Sequence, residues 1–204
     1  MTGGQRFARA VTTLVVRRPV LWKLFRRRLT RNFDRLAPEW DATRVSPERL
    51  RPLIAALDAL PAPPEHVLDL GTGSGAVARL AAERWDAANV TGVDVSAGMV
   101  REAQMRARTD RENYAQADAA ALPFADGAFD LVTLNNMIPF FSELARVTAV
   151  GGHVAIAYSL GPRTPIWVPL ARLRAELCKR GFAHVADFSV DHGVSLLARK
   201  GPQS

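Results

Sequence analysis

A chain of 204 residues suits one domain with an appendage, and hydrophobic and charged contents of 48% and 23% are those of a globular protein with a real core. Its one cysteine, Cys178, excludes an intrachain disulfide and points to a reducing, cytoplasmic setting. The net charge of +7 is unevenly placed: residues 1–31 hold nine Lys and Arg and no acid, leaving 18 of the 27 basic residues to face all 20 acidic ones. Basicity thus belongs to an N-terminal helical arm, residues 1–45. The domain of residues 46–204 is nearly neutral, which argues against nucleic acid as its substrate.

In the arm, Ala10–Val16 is the longest apolar run and is too short to span a bilayer. Arginines follow it with no small-residue cleavage site behind, which is not the order of a secretory leader. Pro19 divides the arm, and beyond it Leu21, Leu24, Phe25 and Leu29 fall on one side of a helix with cations elsewhere. That pattern suits peripheral contact with an anionic membrane surface, contact with nucleic acid, or an arm that is solvated or packed on a partner. A second helix is expected over Pro47–Leu60. Ser46 can cap it, Pro47 suits its first turn, and Leu50, Leu53, Ile54 and Leu57 share one face. The run Pro61-Ala-Pro-Pro64 ends it.

From His66 onward strand and helix alternate. Strands are predicted at Val67–Leu70, Val90–Val93, Asn113–Ala117, Phe129–Leu134 and His153–Tyr158. Helices are predicted at Ala76–Arg84, Ala97–Arg108, Phe141–Ala149 (ended by Gly151-Gly152) and Pro165–Arg180. Val185–Val190 and Val194–Arg199 make a final hairpin around Asp191-His192-Gly193. The expected fold is α/β: a doubly wound, mostly parallel seven-stranded Rossmann-like sheet with an antiparallel C-terminal strand, plus the helical arm. Ligands of such sheets sit at the carboxyl ends of the strands, which nominates Asp69–Gly75, Asp94, Asp118 and Asn135-Asn136.

The strongest motif is Val67-Leu-Asp-Leu-Gly-Thr-Gly-Ser-Gly75, a buried strand entering a glycine turn and then a helix. The glycines alone are ambiguous, because Gly71, Gly73 and Ala76 also satisfy the dinucleotide fingerprint. Asp69 argues against a pyrophosphate, which it would repel, and for a ligand carrying ammonium and sulfonium charges. Asp94 lies 19 positions after Gly75, near the spacing of an acid that accepts from ribose hydroxyls. A helix-capping role is the rival reading, and Ser96 fills that equally well. Asp118 follows the third strand, where an acid can accept from an adenine amino group or simply be a solvated loop acid.

Taken in order, Val67–Gly75, Asp94, Asp118, Leu122-Pro123-Phe124, Phe129-Asp-Leu-Val132 and Val150-Gly-Gly152 resemble the successive motifs of class I S-adenosylmethionine (SAM)-dependent methyltransferases. Phe33-Asp34 and Trp40-Asp41 resemble an upstream aromatic-Asp pair of small-molecule members of that family. The resemblance covers roughly residues 33–199. It implies SAM as cofactor, with Asp69 and the backbone of Gly71, Thr72, Gly73, Ser74 and Gly75 around the methionine part, and Asp94 on the ribose. It further implies Val95 and Met99 against adenine, Asp118 with Ala119 at the adenine amino group, and Asn135 near the transferred methyl. Met99 reads equally well as helix core.

Trp40, Asn136, Phe140, Phe141 and Tyr158 are candidates for contact with a small, lipophilic acceptor. The interval from Asn135 to Gly151 is compressed relative to many relatives, and no lid is inserted after the fifth strand. Cover for the site must therefore come from the arm, the Trp40 region or a partner subunit in a homo-oligomer. No metal site is expected, since the chain has no Cys/His cluster, and the four histidines read as structural or exposed. The expected activity is SAM-dependent methyl transfer. The alternatives are an NAD(P)-dependent oxidoreductase and a non-catalytic SAM-binding or scaffold protein.

Overall fold

The computed structural model describes residues 3–202, so the first two residues of the expected arm and the last two of the expected domain lie outside the described residues. In chain order the elements are α1 (Gly3–Arg17), α2 (Trp22–Leu36), α3 (Trp40–Arg44), α4 (Pro47–Asp58), β1 (His66–Leu70), α5 (Ala76–Arg84), β2 (Asn89–Asp94), α6 (Ala97–Met105), β3 (Glu112–Gln116), β4 (Phe129–Asn135), α7 (Phe141–Val147), β5 (Thr148–Tyr158), α8 (Leu170–Cys178), β6 (Phe182–Val190) and β7 (Gly193–Lys200). One seven-stranded sheet runs β3-β2-β1-β4-β5-β7-β6. All its pairs are parallel except those of β7, which runs antiparallel to both β5 and β6.

Alternate strand residues feed two separate cores, as a period-2 pattern buried on both faces requires. On one face Leu68, Leu70, Val132, Leu134 and Ile156 pack with the arm, α7 and α8. On the other, Val67, Val90, Leu131 and Ala155 pack with Leu53 and Leu57 of α4, Val77 and Ala81 of α5, and Val100 and Ala103 of α6. No helix of the described residues is long and apolar enough to cross a membrane.

Four local expectations are corrected. The helix over Phe141–Ala149 stops at Val147, and β5 begins at Thr148 and runs through Gly151-Gly152. The glycines do not end a helix; they fit a shift of register against β4 between Phe129 and Leu131, where a Cβ on Gly152 would lie 2.9 Å from the Asp130 carbonyl oxygen. The helix over Pro165–Arg180 is confined to Leu170–Cys178, because Pro169 holds an extended cap conformation and Pro165-Ile-Trp167 precede it as loop. Ser46 stands at the start of α4 with extended backbone but makes no side-chain cap there. Finally, Leu24 does not share the inward side of α2: Trp22 and Leu29 are buried, and Leu24 is 73% exposed.

Candidate active site

Strand β1 is buried from Val67 to Leu70 and delivers the chain into a turn in which Gly71, Gly73 and Gly75 all have positive φ, at 74°, 55° and 86°. Only glycine adopts that conformation without strain. The turn is anchored from β2, since the N–H groups of Gly71 and Thr72 donate to the Val93 carbonyl at 2.8 and 2.9 Å.

Asp69 braces this turn from beneath. It is 2% exposed and accepts from Thr72 Oγ1 at 2.6 Å and from Thr133 Oγ1 of β4 at 3.0 Å. Burial pushes its carboxyl up to about 6, against the pull of the two threonine hydroxyls. Asp94 ties the neighbouring turns together, accepting from the N–H of Gly73 at 3.0 Å and of Ser96 at 2.9 Å. Burial raises its carboxyl, with the negative charge of Asp34 adding in the same sense. Ser96 Oγ caps α6 by accepting from Met99 N–H at 3.1 Å, which leaves Asp94 free of the capping role. Val95 is half-buried beside it, and Met99 is buried.

The third acid is already engaged. Trp22 Nε1 donates to Asp118 Oδ1 at 2.8 Å, and Arg26 donates to Oδ2 at 2.7 Å. Ala120 N–H donates to Oδ1 at 3.0 Å. Trp22 is 5% exposed and meets Phe140 edge-on, with ring centroids 5.4 Å apart and Ala119 in the same apolar cluster. Neither Trp22 nor Arg26 stands out by local pattern in the arm, where both are lost among leucines and cations.

The arm crosses the rest of the same edge. Asp34 accepts from Ser96 Oγ at 2.6 Å and from Gly98 N–H at 3.0 Å. Asp41 accepts from Ser74 Oγ and pairs with Arg79 and Arg106 at 3.4 Å. Trp40 Nε1 lies 3.3 Å from where a Gly73 Cβ would stand, and Met137 Sδ 2.6 Å from that of Gly71. Met137 is a neighbour of the turn that the sequence did not single out.

Asn135 ends β4 with its Oδ1 buried and unpartnered among the described residues. Asn136 has φ 57° and accepts from Ser159 N–H at 2.9 Å, locking β4 to the end of β5. The carboxyl edge of the sheet thus gathers Gly71–Gly75, Asp94, Asp118, Asn135 and Asn136, with Trp40 and Phe140 beside them. Phe141 and Tyr158 are buried in the same apolar cluster as Phe140. Arg180 lies 5.6 Å over the Phe141 ring, and Tyr158 is fully buried against Trp167 at 5.1 Å. His66 opens β1, away from that edge, and His153 lies where β5 faces Leu131, well before its carboxyl end.

A glycine turn after β1, flanked by acids on β1 and β2 and with a sheet that ends in an antiparallel β7, defines a nucleotide-type α/β domain of the class I methyltransferase fold. Residues 67–152 match the family model described as Methyltransferase domain. The chain is 42% identical over 127 residues to a demethylmenaquinone methyltransferase of Beutenbergia cavernae, covering 58% of this chain and 50% of that one. It is 34% identical over 179 residues to a malonyl-[acyl-carrier protein] O-methyltransferase of Halorhodospira halophila, covering 83% and 59%. A solved SAM-dependent methyltransferase from Aquifex aeolicus superposes with a TM-score of 0.65 at 18% identity, over 83% of this chain and 97% of that one. Residues 67–152 thus form a methyltransferase domain like that of the class I SAM-dependent enzymes, and the chain spans about half the length of the first curated relatives it matches.

Proposed function

We propose that this chain is an enzyme that transfers a methyl group from SAM to a small, lipophilic acceptor. The observation that carries this reading is the pair of carboxylates, Asp69 and Asp94, set around the Gly71–Gly75 turn. Two acids beside a turn disfavour a pyrophosphate and suit a ligand with ammonium and sulfonium charges. The residues fit the cofactor in a second respect, because the orphaned Asn135 Oδ1 is an acceptor in need of a donor, and an ammonium group is one.

When bound, SAM supplies a methyl already activated by its sulfonium. The work left to the chain is alignment and exclusion of water. The backbone of Gly71–Gly75 would lie along the methionine part, with Asn135 at its ammonium. Asp94 would accept from the ribose hydroxyls while it holds the Gly73 N–H. Val95 and Met99 would flank adenine, with Ala119 near its amino group. Asp118 would accept from that group once the arm yields one of its oxygens. Trp40 and Phe140 would wall the acceptor side. No histidine lies among these residues, which leaves a carboxylate of this edge or solvent to take the proton of an acceptor that must lose one.

The demethylmenaquinone methyltransferase match and the arm's charge support a lipophilic acceptor and a cytoplasmic enzyme with residues 1–45 in peripheral contact with an anionic membrane. Both oxygens of Asp118 are taken by the arm, so an adenine amino group would compete with Trp22 or Arg26 for that acid.

Calorimetric titration with SAM, S-adenosylhomocysteine and NADH tests the reading, on the wild type and on Asp94→Asn. Saturable SAM binding that weakens about tenfold or more in the variant is expected, the loss of a hydrogen bond to a charged group. Binding of NADH alone would assign the turn to a dinucleotide. SAM binding without turnover on quinol-type or acyl-carrier acceptors would favour the non-catalytic protein.

A further inference from the structure

Helix α2 has two unlike faces. Trp22, Phe25, Arg26, Leu29 and Phe33 recur at helical spacing and turn inward, onto the core or onto Asp118. On the other face and at the Pro19 corner that leads into the helix, Val20 and Leu24 are each 73% exposed, and Leu14 before the corner is 44% exposed. Of the six large hydrophobic residues exposed among the described residues, three lie within residues 14–24, so this is a cluster and not the usual scatter. Arg17, Arg18, Lys23 and Arg27 surround it, all exposed, and none pairs with an acid among the described residues. The first acid in the chain is Asp34.

We propose that the Pro19 corner is a docking surface for anionic lipid, and that docking there draws Trp22 and Arg26 off Asp118. Charge and apolarity together select the partner. Nucleic acid would satisfy the cations but leave Val20 and Leu24 in water, and an apolar protein groove would leave the cations without counter-charges. An anionic bilayer takes both, with the side chains of Val20 and Leu24 entering the boundary between headgroups and acyl chains while the cations stay at the phosphates. The same turn of chain then reaches the site. Trp22 lies between Val20 and Leu24 in sequence, and its indole N–H holds the oxygen that an adenine amino group would use. A displacement of the corner toward lipid is therefore a displacement of Trp22 away from Asp118. This coupling rests on the reading of Asp118 as the adenine acid; the docking does not.

The full-length chain is sedimented with phosphatidylcholine vesicles, with and without phosphatidylglycerol, at low and high salt, beside the variant Val20→Ser/Leu24→Ser, which keeps every cation. Expected is binding to the anionic vesicles alone, weakened by salt, and about tenfold or more weaker in the variant. No vesicle binding, or equal binding by the variant, overturns docking at this corner. So does a duplex oligonucleotide that binds as tightly as the vesicles and with no effect of the variant. SAM is then titrated with and without anionic vesicles. A several-fold gain in SAM affinity with vesicles, absent in the variant, supports the coupling, and an unchanged affinity overturns it while docking stands. If SAM binds in neither condition although vesicles bind, the methyltransferase reading fails and takes the coupling with it, leaving the lipid surface supported.

Discussion

The indole nitrogen of Trp22 stands 2.8 Å from Oδ1 of Asp118, across 96 positions of sequence. An aromatic N–H aimed at a loop carboxylate offers that carboxylate the same donor that an adenine amino group would. Arg26 fills the second oxygen, so the arm is the neighbour of the site that any nucleoside must reckon with.

Trp22→Phe removes that donor and keeps a ring against Phe140. A hydrogen bond to a charged group contributes about 1.5–3 kcal/mol. If indole and adenine compete, SAM affinity measured by calorimetry rises roughly tenfold in the variant, while the melting temperature falls by a few degrees. An unchanged Kd would mean that Asp118 serves both donors at once.

Asp69 predicts a pH signature. Its folded carboxyl stands at about 6 and its ordinary value is 3.8, because burial disfavours the charge. The folded state therefore binds the proton more tightly than the unfolded chain. The contribution to stability is fully present below about pH 4 and is lost as pH rises through 6. A shift of this size corresponds to at most about 3 kcal/mol. Denaturant melts from pH 4 to 7 should show the wild type losing stability relative to Asp69→Asn across that window. A constant difference between the two would refute the raised carboxyl.

Two strains meet at Gly71, whose φ is 74° and whose missing Cβ would lie 2.6 Å from Met137 Sδ. Left-handed backbone costs a β-carbon residue about 1–2 kcal/mol before any clash. Gly71→Ala is expected to lose stability, and Gly71→Ala/Met137→Ala to recover part of it, since the second change removes the clash but not the φ cost. Thermal melts of the two variants decide this. Equal losses would mean that Met137 swings aside freely.

Asp41 holds α3 to the turn through Ser74 and to the sheet helices through Arg79 and Arg106. The carboxylate is partly exposed, so its ion pairs are screened and Asp41→Asn should cost only about 1 kcal/mol. Its effect is local: hydrogen exchange at Trp40–Arg44 accelerates while β1 amides stay protected, and SAM binding weakens as Trp40 loosens over Gly73. Uniform acceleration across the sheet would contradict a local role.

The strands β1, β2 and β4 and the helix α5 were legible because they are local. Each is a short apolar run or a 3.6-residue stripe with glycine or proline at its boundary, and the resulting order of strands and helices implied the sheet. Where the expectation failed, one residue type had two uses. Gly151-Gly152 fits a helix stop and a bulged strand start equally well, and only pairing with β4 selects the second. Pro165 was tolerable at the head of a helix by pattern, but the chain leaves it in a loop and begins α8 only after Pro169, which caps the helix with extended backbone. At the site, Asp69 was legible as an acid beside the turn. That it accepts from Thr133 of a different strand was not, because β1 and β4 are separated in sequence by two helices and two strands.

By itself the sequence determined a parallel α/β sheet, a glycine turn with an acid before it and another 19 positions after it, and a cationic arm. These follow from side-chain period, backbone freedom and charge, all properties of neighbouring residues. Only the tertiary structure decided where the arm lies and which of its faces it uses. It turns Trp22 and Arg26 onto Asp118 and leaves Val20 and Leu24 outside. A helix with apolar residues on more than one side has several ways to bury them. The choice is made by the surface it meets, here the apolar cluster around Phe140 and a carboxylate that needs donors, and no window of local sequence contains that surface.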